Sequence, residues 1–157
     1  MRTRNVLTFA VCFVLAAVAL AQGASAQKAS TVIFMPAADL KWAELDPSAP
    51  GVKIATLWGN HAQGAHGAFI KFPGGFAAPL HTHPNDAKIV VVSGTFIQGP
   101  EGKPEVRLGP GSYMMQPGVS YRHTTRCDAA SECVIFSTSE GAFGLAPAEA
   151  AKAPATN

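Results

Sequence analysis

GFAAPLHTHPNDAKIVVVSG, residues 75–94, joins a His-x-His pair to a run of branched apolar residues and closes on a glycine. On a β-strand, residues i and i+2 point to the same face. The imidazoles of His81 and His83 can therefore reach one cation. A third histidine, His123, follows a second Gly/Pro-punctuated segment, residues 111–118, so three neutral imidazoles can converge on one side of a sheet. The pattern predicts a metal-binding β-barrel.

The first residues lie outside that fold. Arg2 and Arg4 give a positive start, residues 6–21 are almost wholly apolar, and Ala24-Ser25-Ala26 is a small-residue cleavage signature. Residues 1–26 are read as a secretory signal peptide, shorter in its apolar run than a membrane span needs. The expected location is periplasmic or secreted, with no stable membrane anchor after cleavage. Of 157 residues, removal of 26 leaves 131, enough for one domain, with Lys+Arg reduced from 12 to 10 against 10 acids. A mature chain without net charge has no basic stripe for nucleic acid. Of the three cysteines, Cys127 and Cys133 remain, in a compartment that permits a disulfide.

Short β-branched or aromatic runs, each stopped by Gly, Pro or Asn-Asp signals, predict strands over 31–35, 52–58, 68–72, 88–92 and 95–98. Further strands are predicted at 105–108, 113–116, 121–125, 133–137 and, as a last edge, 142–145. No amphipathic helix of ten residues is evident. The expected organisation is all-β, a single-domain jelly-roll β-barrel over 27–145, with 146–157 a disordered Ala/Pro/Lys/Glu tail.

These segments resemble the paired motifs of the cupin superfamily. The first is Gly75, His81, His83, Gly94; the second is Gly111, Pro117, His123. The strings at 51–94 are also similar to exported cupins related to the ChrR-type anti-sigma cupin domains. The resemblance implies a cupin barrel, a metal site and a homodimer. Three departures from the pattern are visible. A glutamate three or four residues after His-x-His completes the family site, and here Ala87 and Lys88 stand there, with Ala87 the inward one, so the carboxylate is lost or borrowed from Asp86. The interval from Pro117 to His123 is one residue long and requires a bulge or wider turn. Cys127 stands where a family asparagine often lies.

Three histidines suit Zn, Fe, Ni or Cu and leave open positions. Asp86 is a candidate fourth ligand or simply a turn residue, and Cys127 is either a thiolate ligand or half of a disulfide with Cys133. His61 and His66, in a Gly-rich loop, are expected to face solvent; the alternative folds that loop over the site. Phe96, Tyr113, Met115 and Tyr121 are assigned to the pocket; Tyr121 and Arg122, close to His123, either orient an anionic ligand or stand at the rim. The leading reading is an exported cupin with one divalent metal that binds a small molecule. The alternatives are a metal-dependent dioxygenase or isomerase, and a metal-free structural cupin.

Overall fold

The computed structural model describes residues 31–148. The expected signal peptide and the residues from 149 onward lie outside them. The chain divides into two units, residues 1–34 and 35–157, and every strand among the described residues belongs to the second. In chain order the strands are β1 (Ala43–Glu44), β2 (Lys53–Gly59), β3 (His66–Phe72), β4 (Ala77–Thr82), β5 (Ala87–Ser93) and β6 (Phe96–Pro100). Then follow β7 (Val106–Leu108), β8 (Tyr113–Gln116), β9 (His123–Cys127), β10 (Cys133–Ser139) and β11 (Ala146–Pro147). Among the described residues a 3-10 turn, Ala37–Asp39, precedes them.

All pairings are antiparallel and form two sheets, β1-β2-β3-β10-β5-β8 and β11-β4-β9-β6-β7. The all-β expectation holds as two antiparallel sheets sharing one core; among the described residues no strand pairs from one sheet to the other. The edge strands β1, β7, β8 and β11 are only two to four residues long. Edges so short offer too few free N–H and C=O groups to extend a ladder across the gap.

The inward faces follow from strand alternation. On β3 the buried set is His66, Ala68, Ile70 and Phe72, on β10 Cys133, Ile135, Ser137 and Ser139, and on β5 Ile89 and Val91. These meet Phe96 and Cys127 of the other sheet, with the Phe72 and Phe96 ring centroids 5.3 Å apart. Each buried Ile or Val contributes about 1.5–3 kcal/mol by removing apolar surface from water. Cys127 and Cys133 form a disulfide, Cα to Cα 5.8 Å, that ties the end of β9 to the start of β10. Closing so short a loop stabilises by about 2 kcal/mol in the chain-entropy view.

Three local expectations change. Residues 31–35 form no strand: β-branched composition supplies propensity, but a strand exists only where a neighbouring ladder accepts it. Residues 142–145 form a loop, and the chain pairs just beyond it, at Ala146–Pro147, against Thr82 and His81. The boundary expected at residue 145 therefore falls short, because β4 presents a free edge that captures the next residues.

Gly94 turns the chain from β5 to β6 at φ +74°, and a Cβ there would collide with the Glu132 carbonyl oxygen and sit 2.9 Å from Cys133 Cα. Gly102, at φ +70°, faces open space. Gly102→Ala is expected to cost only the left-handed backbone strain, about 1–2 kcal/mol. Gly94→Ala should cost a further 1–3 kcal/mol, roughly, because backbone must move. Urea unfolding of the two variants side by side checks this; equal midpoints would refute the steric account.

Candidate metal centre

His81 lies on β4 and is the direct cross-strand neighbour of His123 on β9. His83 is the first residue beyond the end of β4, on the same side as His81. Register between β4 and β9 shifts between Ala78 and His81, and Pro79, which cannot donate to a ladder, occupies that irregular stretch. The long interval after Pro117 is absorbed by a turn in which Val119 takes φ 59°. A β-branched residue in that region carries about 1–2 kcal/mol of strain. The Val119 N–H donates to the His83 carbonyl at 2.6 Å, so the strained turn holds the histidine segment.

One potential ligand atom from each of His81, His83 and His123 lies within 4.8 Å of the others. His81 and His123 are fully buried and His83 is half-buried. Each Nδ1 meets a backbone carbonyl: Pro79 at 2.7 Å, Gly144 at 2.7 Å and Tyr121 at 3.0 Å respectively. A carbonyl only accepts, so Nδ1 carries the proton and Nε2 is left as a lone pair in all three neutral rings. His123 Nε2 is buried without a hydrogen-bond partner. A buried unpartnered acceptor beside two others of the same kind is what a cation would satisfy. Burial, ahead of all other effects, pushes His83 and His123 down to about 4, against a smaller upward pull from their carbonyl partners. Burial also lowers His81. The rings are therefore neutral and ready to ligate at neutral pH. The donor set fits a borderline first-row ion.

The remaining candidates take other places. Asp86 is exposed, and its Oδ1 accepts from the Gly118 N–H at 2.7 Å, so its carboxylate is used to hold the turn and is not part of the histidine cluster. Ala87, half-buried, stands at the inward position and leaves the centre without a carboxylate. Cys127 is in the disulfide, not a thiolate. Phe96 is buried and lines the cavity beside the histidines. Tyr113 and Met115 do not: they are 59% and 51% exposed, on the outward face of β8, while Met114 and Gln116 point in. The assignment missed by one residue, which on a strand moves every side chain to the opposite face. Tyr121 stacks on His123, centroids 4.4 Å apart at 17°, backing the ring without lining the cavity. Its hydroxyl pKa is raised by burial. Arg122 is engaged by Glu101, 2.5 Å from Nε and 3.1 Å from Nη2, instead of reaching toward a ligand.

The expectation that His66 faces solvent is reversed. It is 2% exposed and lines the cavity, because β3 begins there and gives it the parity of Ile70 and Phe72. That shared parity was the available signal. His61 is half-buried, its Nδ1 3.1 Å from Thr56 Oγ1 and its ring edge-on to His66. The Phe143 N–H donates to the His61 carbonyl at 2.7 Å and the Phe143 ring packs on His83 at 5.6 Å. The Gly-rich loop is thus pinned beside the site, in line with the alternative reading of these two histidines.

The cavity itself measures about 80 Å³. Leu45, Val52, Ile70, Phe72, Ile89 and Phe96 supply much of its apolar wall, and among the described residues no charged side chain lines it.

A family model described as Domain of unknown function (DUF4437) matches residues 15–155. No curated protein matches the chain. Among solved structures, the polyketide cyclase RemF from Streptomyces resistomycificus is similar at TM-score 0.63 and 16% identity, over 79% of this chain and 90% of that one. An RmlC-like cupin from Ralstonia eutropha gives 0.57 and 18%, over 71% and 69%. The Rhodobacter sphaeroides SigE complex with the anti-sigma ChrR gives 0.51 and 24%, over 67% and 52%. Against longer neighbours the chain spans little more than half their length, 57% for a DMSP lyase structure. At these identities the likeness speaks for the fold, which is that of the cupins.

Proposed function

The chain belongs to the family described as Domain of unknown function (DUF4437), and from the three-histidine centre in its cupin fold we propose a small-molecule-binding protein with one divalent-metal site. The observation that carries this reading is the buried, partnerless Nε2 of His123 facing two further neutral imidazoles. His81, His83 and His123 would hold the ion as neutral nitrogen ligands, each oriented by a backbone carbonyl. Bound there, a divalent ion supplies Lewis-acid polarisation of a ligand oxygen and, if iron or copper, redox capacity. The chain's own contribution is to fix the three rings and to surround the ligand with an apolar wall. Metal analysis of protein purified without tag or chelator tests the proposal; close to one equivalent is expected, and none after reconstitution would refute it.

A metal-dependent enzyme, of dioxygenase or isomerase type, is the second reading. Three protein ligands with a cavity alongside favour it, since such a centre keeps positions open for substrate. Oxygen consumption by the iron-loaded protein with a candidate substrate separates the two readings.

The Cys127–Cys133 disulfide supports export, because such bonds persist in oxidising compartments. The cell-made protein is expected to begin at Gln27; mass spectrometry showing residues 1–26 retained would contradict cleavage. The outward faces of β5 and β8 carry Val90, Val92, Tyr113 and Met115, 37 to 59% exposed, with Val90 directly opposite Tyr113. This apolar band next to an edge strand supports a homodimer. Sedimentation should show a dimer at micromolar concentration that Tyr113→Lys shifts toward monomer; a wild-type monomer would end this proposal.

A further inference from the structure

Across the cavity from the histidine cluster, four strands place one row of residues side by side. His66 on β3 opposes Ser139 on β10, Ser139 opposes Ala87 on β5, and Ala87 opposes Gln116 on β8. His66, Ser139 and Gln116 are 2%, 8% and 4% exposed, and all four residues line the cavity. Asn85, Ser137 and Thr125 also line the cavity, but this row sets three polar side chains next to one another, and polar groups that face a cavity are satisfied by what enters it.

Their partners inside the protein are incomplete. His66 Nδ1 lies 2.9 Å from the Gly64 carbonyl, which makes it the N–H donor and leaves Nε2 an acceptor with no protein partner among the described residues. Ser139 Oγ accepts from the Gly141 N–H at 3.3 Å, so its own hydrogen is available. No side-chain partner of Gln116 is found among the described residues. Ala87 has only a methyl group, so it leaves a notch in the row between Ser139 and Gln116.

Charge decides the rest. A divalent ion on three neutral imidazoles is a buried double positive charge, and among the described residues no acidic side chain lines the cavity to offset it. Nor, among the described residues, does a lysine or arginine line it, so a second negative group on a ligand would find no counter-charge there. Size points the same way: about 80 Å³ is room for several water-sized groups, which suits a small ligand.

We propose that the cavity takes a small hydroxy-monocarboxylate, whose carboxylate provides the negative charge that Ala87 does not, and whose hydroxyl donates to His66 Nε2. Ser139 and Gln116 flank the notch and hydrogen-bond the ligand's oxygens, while the apolar wall accepts its carbon chain. The inference rests on the metal-binding reading. It assigns His66 a role in ligand selection, separate from the three metal-holding histidines.

The test uses cobalt(II)-loaded full-length protein, titrated with propanoate, 2-hydroxypropanoate and 3-hydroxypropanoate while the visible cobalt absorption is followed. At least one hydroxy acid is expected to bind ten-fold or more tightly than propanoate. In His66→Leu, with cobalt content unchanged, that preference should fall below two-fold while propanoate binding persists. Equal affinities in the loaded wild type, or a preference that survives in His66→Leu, would overturn the proposal. Failure to take up cobalt at all would instead sink the metal reading, and this inference with it. Should His66→Leu fail to fold, the ring tautomer in the wild type decides: long-range nitrogen-proton NMR is expected to show His66 protonated at Nδ1, and protonation at Nε2 would overturn the assignment.

Discussion

His123→Ala is expected to lower metal affinity by about two orders of magnitude or more, and His81→Ala to do the same, while His61→Ala leaves metal content unchanged. The asymmetry follows from geometry. His81 and His123 are direct cross-strand neighbours with ring centroids 4.3 Å apart, both fully buried and both pre-oriented through Nδ1. Removing either leaves two ligands and a void that water must fill. His61 is hydrogen-bonded to Thr56 and stands outside the cluster. Isothermal titration with zinc or nickel against the apo proteins reads the three variants together. Retention of wild-type affinity in His123→Ala would show that the three-histidine centre is not the binding site.

The second large effect concerns acid. In chelator-treated protein, His83 and His123 have pKa values pushed down to about 4 by burial, below the usual 6.5 of an exposed imidazole. Above pH 6.5 both the folded and the unfolded chain keep these rings neutral, and their contribution to stability is fully present. As pH falls through 6.5 the unfolded chain takes up protons that the folded chain refuses until about pH 4. Stability is therefore lost progressively between pH 6.5 and 4, and the loss levels off below. Together the two histidines, with His81 shifted in the same direction, account for a loss on the order of a few kcal/mol. Asp46 and Asp128 also have lowered values and add their own loss only below the ordinary carboxylate range. Urea midpoints of the apo protein at pH 7.5 and 5.0 isolate the histidine window. Identical midpoints would mean that the rings are as accessible to protons when folded as when unfolded.

Both expectations start from residues that were readable in the sequence, and several of their neighbours were not. The two-residue spacing of His81 and His83, the glycine at 94 and the apolar strands at 88–92 and 133–137 are local patterns, and the structure has β4, β5 and β10 over them. Tyr113 and Met115 show the limit. Alternation along β8 was correct, but alternation alone leaves open which of two faces is inward, and Gln116 rather than Met115 proved to be inside. His66 shows another. A Gly/His/Gln stretch reads as loop, and only its continuation into Ala68, Ile70 and Phe72 reveals the start of a buried strand face. The carbonyls of Pro79, Tyr121 and Gly144 that orient the rings belong to the backbone, and side-chain identity carries almost no signal for them.

What the sequence by itself determined is the inventory and its local order: an all-β chain, a His-x-His pair on one strand face, and two cysteines close enough in the chain to close a loop. What the tertiary structure decided is which strands became neighbours. The pairing of β4 with β9 places His81 against His123, and the succession β3, β10, β5, β8 lines up His66, Ser139, Ala87 and Gln116. The physical reason is that strand periodicity arises from the backbone of a few consecutive residues. Register and facing instead depend on hydrogen bonds and burial between segments far apart in the chain, where one residue of slip reverses what lies inside.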